Sequence, residues 1–304
     1  MDYLRVVNEI AAEAAGDEAL GKVASYIPEL AKVSPNRFGL SVRSTDGQEY
    51  SAGDSLERFS TQSISKVFSL ALALSKNPTE VWNRIGVEPS GDPFNSLALL
   101  ETEAGIPRNP LLNAGAIVVC DILLSLFDDA LGEVLDFIRG ISRSNDINYD
   151  PAVSSSEAAT GHRNRGLAYL MRSFGNIKNN VDDVLDLYVK LCAISMNCVE
   201  LARASSFLAD HGRCLGEGEV ILQPDQTRRI NAVMLTCGFY DEAGDFAFSV
   251  GLPGKSGVGG GIIAVCPGRY SVATWSPRLT AGGNSYLGKK ALERLTQKTT
   301  SSIF

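Results

Sequence analysis

The chain has 304 residues, 44% hydrophobic and 21% charged, enough for a large core in one compound domain or two small ones. Its net charge of −7 argues against nucleic acid as a partner, because phosphate binding needs a concentrated basic surface. The N-terminus shows no secretory pattern and no apolar run spans a bilayer comfortably, so a soluble cytoplasmic protein with no membrane partner is expected.

In chain order, the first expected element is an amphipathic helix over about Leu20–Val33. Two strands follow, Phe38–Ser44 and Gln48–Ala52, joined by Thr45-Asp46-Gly47, an Asp-Gly hairpin signal. From Ser63 to Gly212 the chain reads as helices and loops. Leu111–Phe127 is a buried helix, and Leu131–Ile141 and Val184–Asp210 show helical spacing of apolar residues. Three strands close the pattern, Asp245–Val250, Gly261–Cys266 and Arg269–Trp275, before a last helix over about Gly283–Gln297. The economical architecture is α+β: one antiparallel sheet built from both chain ends, flanked by terminal helices, with a helical lobe inserted. Residues 1–304 are read as a single domain, its sheet lobe about 1–60 and 213–304 and its helical lobe about 61–212.

The six cysteines, Cys120, Cys192, Cys198, Cys214, Cys237 and Cys266, form no CxxC pair, and there are only two histidines, His162 and His211. A Cys/His zinc site is not expected, and reduced thiols packed as small core residues are.

The segment that carries chemistry is Gln62-Ser63-Ile64-Ser65-Lys66. Ser63 and Lys66 form an SxxK pair at a helix start, three residues apart and so on one face. A serine hydroxyl attacks only when a neighbour takes its proton, and a buried lysine can do that once its pKa falls to about 7–8. Alone, the tetrapeptide equally describes a capped amphipathic helix with a solvated lysine. A second segment, Gly254-Lys255-Ser256-Gly257-Val258-Gly259-Gly260-Gly261, changes that reading. Its Lys-Ser-Gly ahead of a strand parallels the Lys-Thr-Gly element that accompanies SxxK in β-lactamases and penicillin-binding proteins. Its glycines would let a substrate lie against bare backbone. A P-loop fails, because its first glycine would fall at Ser249.

Further segments make the likeness specific: Tyr26-Ile27-Pro28-Glu29-Leu30, Asn109-Pro110-Leu111-Leu112-Asn113-Ala114-Gly115-Ala116, Ser156-Glu157 with Gly161-His162-Arg163-Asn164, Leu187-Tyr188, and Cys237-Gly238-Phe239-Tyr240-Asp241. In order and spacing, from about Ala24 to Trp275, the chain resembles the serine-dependent glutaminase family. That resemblance implies a β-lactamase/transpeptidase-like fold and hydrolysis of L-glutamine by water to L-glutamate and ammonia. It implies Ser63 as nucleophile, Lys66 as base, and an oxyanion hole from the backbone N–H groups of Ser63 and Val258. Tyr240 and Tyr26 would line the reaction centre. Gln62, Asn113, Glu157, Asn164 and Tyr188 match substrate-binding positions, with Glu157 suited to the α-ammonium. The family does not use His162, read here as structural, and Lys255 would shape the site through its strand. The resemblance implies no metal or cofactor, and a homodimer or homotetramer.

Two other readings share parts of this pattern. A penicillin-recognising hydrolase or peptidase has SxxK and Lys-Ser/Thr-Gly, but needs export to meet its substrate. A catalytically silent amino-acid-binding module would have no need of an activated serine.

Overall fold

The computed structural model describes residues 1–18, 20–90, 97–214 and 219–304. Its main sheet has five antiparallel strands in the order Glu49–Gly53, Gly39–Ser44, Tyr270–Trp275, Gly261–Cys266 and Gly254–Ser256. Residues from both chain ends therefore share one sheet, as the sequence pattern predicts. Asp46 and Gly47 close the first hairpin, with Gly47 at φ +87.

The strands Gly39–Ser44, Gly261–Cys266 and Tyr270–Trp275 are buried along their whole length, so each reads as a near-continuous run rather than an alternation. Period-two geometry still sorts their side chains. Leu40, Val42, Ile262, Ala264 and Val272 meet Val7, Ile10, Leu292 and Leu295 of the two terminal helices, Tyr3–Gly16 and Tyr286–Thr299. Ile263, Val265 and Ala273 face the other way, into the cluster that holds Leu201 and Phe207 of the Cys198–Ala209 helix. Helices Ser65–Lys76 and Asn113–Leu126 complete that second core.

Three expectations need correction. No helix covers Leu20–Val33: Lys22–Val23 is a short strand paired with Arg278–Leu279, and Leu30–Lys32 is a single 3₁₀ turn. Pro28 pushes Ile27 out of helical backbone, and Gly21 at φ +96 lies against the Leu279 carbonyl. The N-terminal helix is instead Tyr3–Gly16, which the sequence reading passed over; Asp2 caps it, and Val6, Val7, Ile10 and Ala14 bury its inner face.

Asp245–Val250 is not a strand but the end of a helix, Ala243–Ser249. Alternation would place Phe246 and Phe248 on one face, whereas Phe246 is buried and Phe248 is 92% exposed. Val184–Asp210 is two helices, Val181–Cys192 and Cys198–Ala209. Asn197 and Glu200 form a capping box that starts the second. Between them Ile194–Met196 pairs with Phe59–Ser60 and Asn148–Tyr149, a small sheet that the sequence did not reveal.

The remaining elements lie close to expectation: Ala130–Ser142 over Leu131–Ile141, Asn113–Leu126 over Leu111–Phe127, and Tyr286–Thr299 over Gly283–Gln297. All six cysteines are free thiols. No described helix is long and apolar enough to cross a membrane.

Candidate active site

Ser63 sits where the small sheet hands over to the Ser65–Lys76 helix. Thr61 N–H donates to the Ile194 carbonyl at 2.8 Å, and the 3₁₀ turn Gln62–Ile64 leads directly into the helix. Gln62 holds φ +50, a conformation costly for a side chain with a Cβ and typical of functional turns. Tyr240, on a separate turn, holds φ +52. Two strained turns thus meet at one cavity, which Ser63 and Tyr240 both line, and the Ser63 and Ser256 side chains oppose the rise of the Tyr240 pKa.

The glycine loop after Gly254–Ser256 packs against this turn. A Cβ on Gly257 would come within 2.4 Å of the Thr61 carbonyl oxygen, and one on Gly259 within 2.1 Å of the Ser60 carbonyl oxygen. These glycines therefore serve backbone-on-backbone packing, and the expectation that they leave room for substrate needs that correction. Trp275 Nε1 holds the loop by donating to the Gly259 carbonyl at 3.0 Å. Among the described residues, the Val258 N–H donates to no protein group, and Val258 lines the cavity beside Ser63.

Lys66 lies behind the serine, 3% exposed. Its Nζ donates to Asn113 Oδ1 at 2.6 Å and to the Leu111 carbonyl at 3.3 Å. Asn109 shapes that turn, its Oδ1 accepting from the N–H groups of Leu111 and Leu112, both at 3.1 Å. Burial pulls the Lys66 pKa down from its usual 10.5 to about 8, partly offset by the field of Glu157. Desolvation pushes Tyr240 up to about 12. Lys255 is buried in the edge strand, its Nζ donating to the Gly238 and Ser256 carbonyls and lying 4.5 Å from the centre of the Tyr240 ring. Burial, then repulsion from Lys66, holds its pKa well below the ordinary lysine value.

A cavity of about 450 Å³ opens above Ser63. Its walls include Tyr26, Gln62, Ser63, Asn113, Glu157, Asn164, Tyr188, Tyr240 and Val258, every residue singled out from the sequence except Lys66 just behind them. Glu157 lies in the Pro151–Thr160 helix, where it is 7% exposed. Desolvation raises its carboxyl to about 7, against the opposing pull of Gln62, whose Nε2 lies 3.4 Å from Oε2, and of Lys66. Asn113 Nδ2 donates to Asn164 Oδ1 at 3.0 Å. Tyr188 is buried in the wall, and desolvation raises its phenol far above the usual range. Tyr26 is 59% exposed as a residue, yet desolvation at the cavity raises its hydroxyl too, with Tyr240 and Glu157 adding to the shift.

His162 is exposed at the start of the His162–Ser173 helix, on the rim of the cavity rather than within the core. Cys192, Thr160 and Arg163 also line the cavity and were not singled out. For Cys192 a signal existed: it follows Tyr188 by four residues, and so shares its helix face. For Thr160 and Arg163, only adjacency to the matched segments could have pointed there.

Sheet, inserted helices and SxxK centre together define a β-lactamase-like protein with a cavity over Ser63, Lys66 and Tyr240. Comparison with known proteins narrows the class. The Glutaminase family model matches residues 21–304. A glutaminase of Saccharophagus degradans is 54% identical over 304 residues, covering 100% of this chain and 99% of that protein. Among solved structures, the probable glutaminase ybaS superposes with a TM-score of 0.92 at 35% identity, covering 99% of this chain and 97% of its own. A probable glutaminase from Bacillus subtilis, solved in complex with 6-diazo-5-oxo-L-norleucine, superposes with a TM-score of 0.86 at 31% identity, covering 99% of this chain and 94% of its own. The chain belongs to the glutaminase family. That finding sets aside the penicillin-recognising reading.

Proposed function

We propose that the protein hydrolyses L-glutamine to L-glutamate and ammonia through a γ-glutamyl ester on Ser63. The observation that carries this reading is the meeting at one cavity of a serine and a single buried carboxylate, with a lysine whose pKa is lowered to about 8 just behind the cavity wall. Ser63 Oγ attacks the side-chain carboxamide carbon, and its proton ends on neutral Lys66. The N–H groups of Ser63 and Val258 stabilise the negative oxygen. The proton returns to the leaving nitrogen as the carbon–nitrogen bond breaks, ammonia departs, and water cleaves the ester by the same route.

Glu157 takes the α-ammonium as a charge-assisted acceptor. Asn113, Asn164 and Tyr188 supply amides and a hydroxyl for the α-carboxylate, with Gln62 buttressing Glu157. The diazoketone bound by the Bacillus subtilis relative, an electrophilic analogue of a γ-carboxamide, supports the assignment of substrate class. Residues 1–304 act as one catalytic unit in this reading.

A second reading concerns only the proton. Tyr240 lines the cavity beside Ser63, and Ser63 acts on its phenol, which favours Tyr240 as first acceptor. Held near 12, its phenol is protonated at neutral pH and would have to release its own proton, whereas Lys66 is already partly neutral. The two are separated by Lys66→Arg, which abolishes turnover if lysine is the base, because a guanidinium stays protonated. With Lys66 as base, kcat/KM rises about tenfold per pH unit between pH 7 and 8, more steeply below pH 7 where Glu157 is protonated as well, and levels off above pH 8, since the neutral amine is the active form. Ser63→Ala lowers ammonia release by at least about a thousandfold, roughly 4 kcal/mol of barrier, and a diazoketone labels Ser63 in the parent. Survival of turnover, or an adduct on another residue, overturns the nucleophile assignment.

A further inference from the structure

Among the described residues, both hydrogen-bond acceptors of Lys66 belong to one turn, residues 109–113, which leads into the Asn113–Leu126 helix. That turn has little freedom. Asn109 is buried, its Nδ2 donating to the Glu88 carbonyl at 2.8 Å and its Oδ1 taking the N–H groups of Leu111 and Leu112. A Cβ on Gly115 would come within 2.1 Å of the Asn109 carbonyl oxygen. The Leu111 carbonyl and Asn113 Oδ1 are thereby fixed beside the Lys66 Nζ, at 3.3 and 2.6 Å. On its other side Asn113 Nδ2 donates to Asn164 Oδ1 at 3.0 Å, and Asn164 lines the cavity over Ser63.

Counting hydrogens gives this arrangement a direction. A neutral amine carries two hydrogens and one lone pair. With two acceptors beside Nζ, both hydrogens are taken and the lone pair is left free for a proton. A carbonyl only accepts, so the Leu111 contact cannot reverse. An amide can: Asn113 turned over would offer its NH₂ to the lone pair and block it. What opposes the reversal is Asn164, as long as its carboxamide oxygen faces Asn113. A carboxylate in the cavity, itself only an acceptor, draws the Asn164 NH₂ outward and so keeps that oxygen inward. We propose that Asn113 is a positioning residue for Lys66, locked with its oxygen on the amine when Asn164 takes the α-carboxylate of the substrate. Binding of the amino-acid end then readies the base for the amide end.

The inference rests on Lys66 being the base, and its test separates the two claims. Turnover surviving Lys66→Arg overturns the base assignment itself. In an enzyme that Lys66→Arg inactivates, Asn113→Ala lowers kcat about tenfold besides raising KM. A side chain that only held the substrate would raise KM and leave kcat parental, and that result overturns the proposal. Asn113→Asp keeps an oxygen on the amine but adds a charge that favours the ammonium, so the acid limb of kcat moves up by about one pH unit. Glu157, Cys192 and Cys120, the other groups whose charge acts on Lys66, and Lys255, which feels Lys66 in turn, are untouched by the change. A limb left in place overturns the proposal, because a merely structural asparagine does not set it. Asn164→Leu removes the acceptor that holds Asn113, so it lowers kcat by itself, and adding it to Asn113→Ala brings no further loss of kcat. Equal losses of kcat in the two backgrounds overturn the coupling to the α-carboxylate. Should Asn113→Ala not fold, the pH limb of Asn113→Asp decides alone.

Discussion

Two buried carboxylates in the helical part of the molecule have opposite surroundings. Asp121, wholly buried in the Asn113–Leu126 helix, is saturated. It pairs with the Arg84 guanidinium, accepts from the N–H groups of Lys178 and Asn179 at 3.0 and 2.8 Å, and takes the Asn179 amide at 2.9 Å. Glu157, nearly as buried, has the Gln62 amide at 3.4 Å as its hydrogen-bond donor among the described residues, and desolvation raises its carboxyl to about 7. The first is a satisfied joint between a helix and the 176–179 turn. The second is an acceptor left incomplete beside an open cavity, which is what a site awaiting a cation needs. Burial alone would have classed the two together; the count of donors tells them apart.

Removing each charge by an isosteric amide gives the sharpest contrast. Asp121→Asn takes from the Arg84 guanidinium its fully buried counter-charge, leaving the half-buried Glu80, and costs about 3–5 kcal/mol of stability, with the kcat/KM of the folded fraction unchanged. Chemical denaturation alongside ammonia release checks both halves; a large loss of kcat/KM in the folded variant would erase the distinction.

Glu157→Gln is expected to act in the opposite sense on stability. A carboxyl raised from 4.5 to about 7 keeps its proton in the fold while the unfolded chain has lost it, so stability falls as pH rises from about 4.5 to 7. The amide variant escapes that loss. Substrate-free, it is therefore more stable than the parent at pH 8, by at most about 3 kcal/mol, and gains nothing below pH 4.5. Melting curves at pH 4 and pH 8 decide the matter, and equal differences at both pH values refute it.

On the role proposed for Glu157, the same substitution exchanges a charge-assisted bond to the α-ammonium for a neutral one. It lowers kcat/KM for glutamine by about ten- to a hundred-and-fifty-fold, roughly 1.5–3 kcal/mol. An analogue lacking the ammonium is already poor with the parent and loses little more in the variant. Equal losses for both substrates would move Glu157 from recognition to folding or chemistry.

The smallest effect belongs to Gln62, whose amide lowers the Glu157 pKa. Gln62→Leu removes that donor and moves the carboxyl further up by a fraction of a unit, about 0.5–1 kcal/mol. The acid limb of kcat/KM for glutamine shifts to higher pH accordingly. A shift to lower pH would show that the amide does not favour the ionised form.

By itself the sequence determined whatever depends on neighbours along the chain. The strand Gly261–Cys266 is an apolar run stopped by Pro267-Gly268, and the hairpin at Thr45-Asp46-Gly47 follows from turn chemistry. The SxxK pair and the matched segments were legible as order and spacing, and they meet in one cavity. Spacing could not separate helix from strand in the seven residues Ala243–Ser249, nor end the helix expected from Val184 at Cys192, because short apolar runs satisfy both periods. What only the tertiary structure decided is the state of the reactive groups. The pKa of Glu157 depends on how few donors arrive from residues 95 positions away, and the pKa of Lys66 on the core around it. Burial and hydrogen-bond polarity are properties of what surrounds an atom in space, and the fold, not the spacing of residues along the chain, assembles those surroundings.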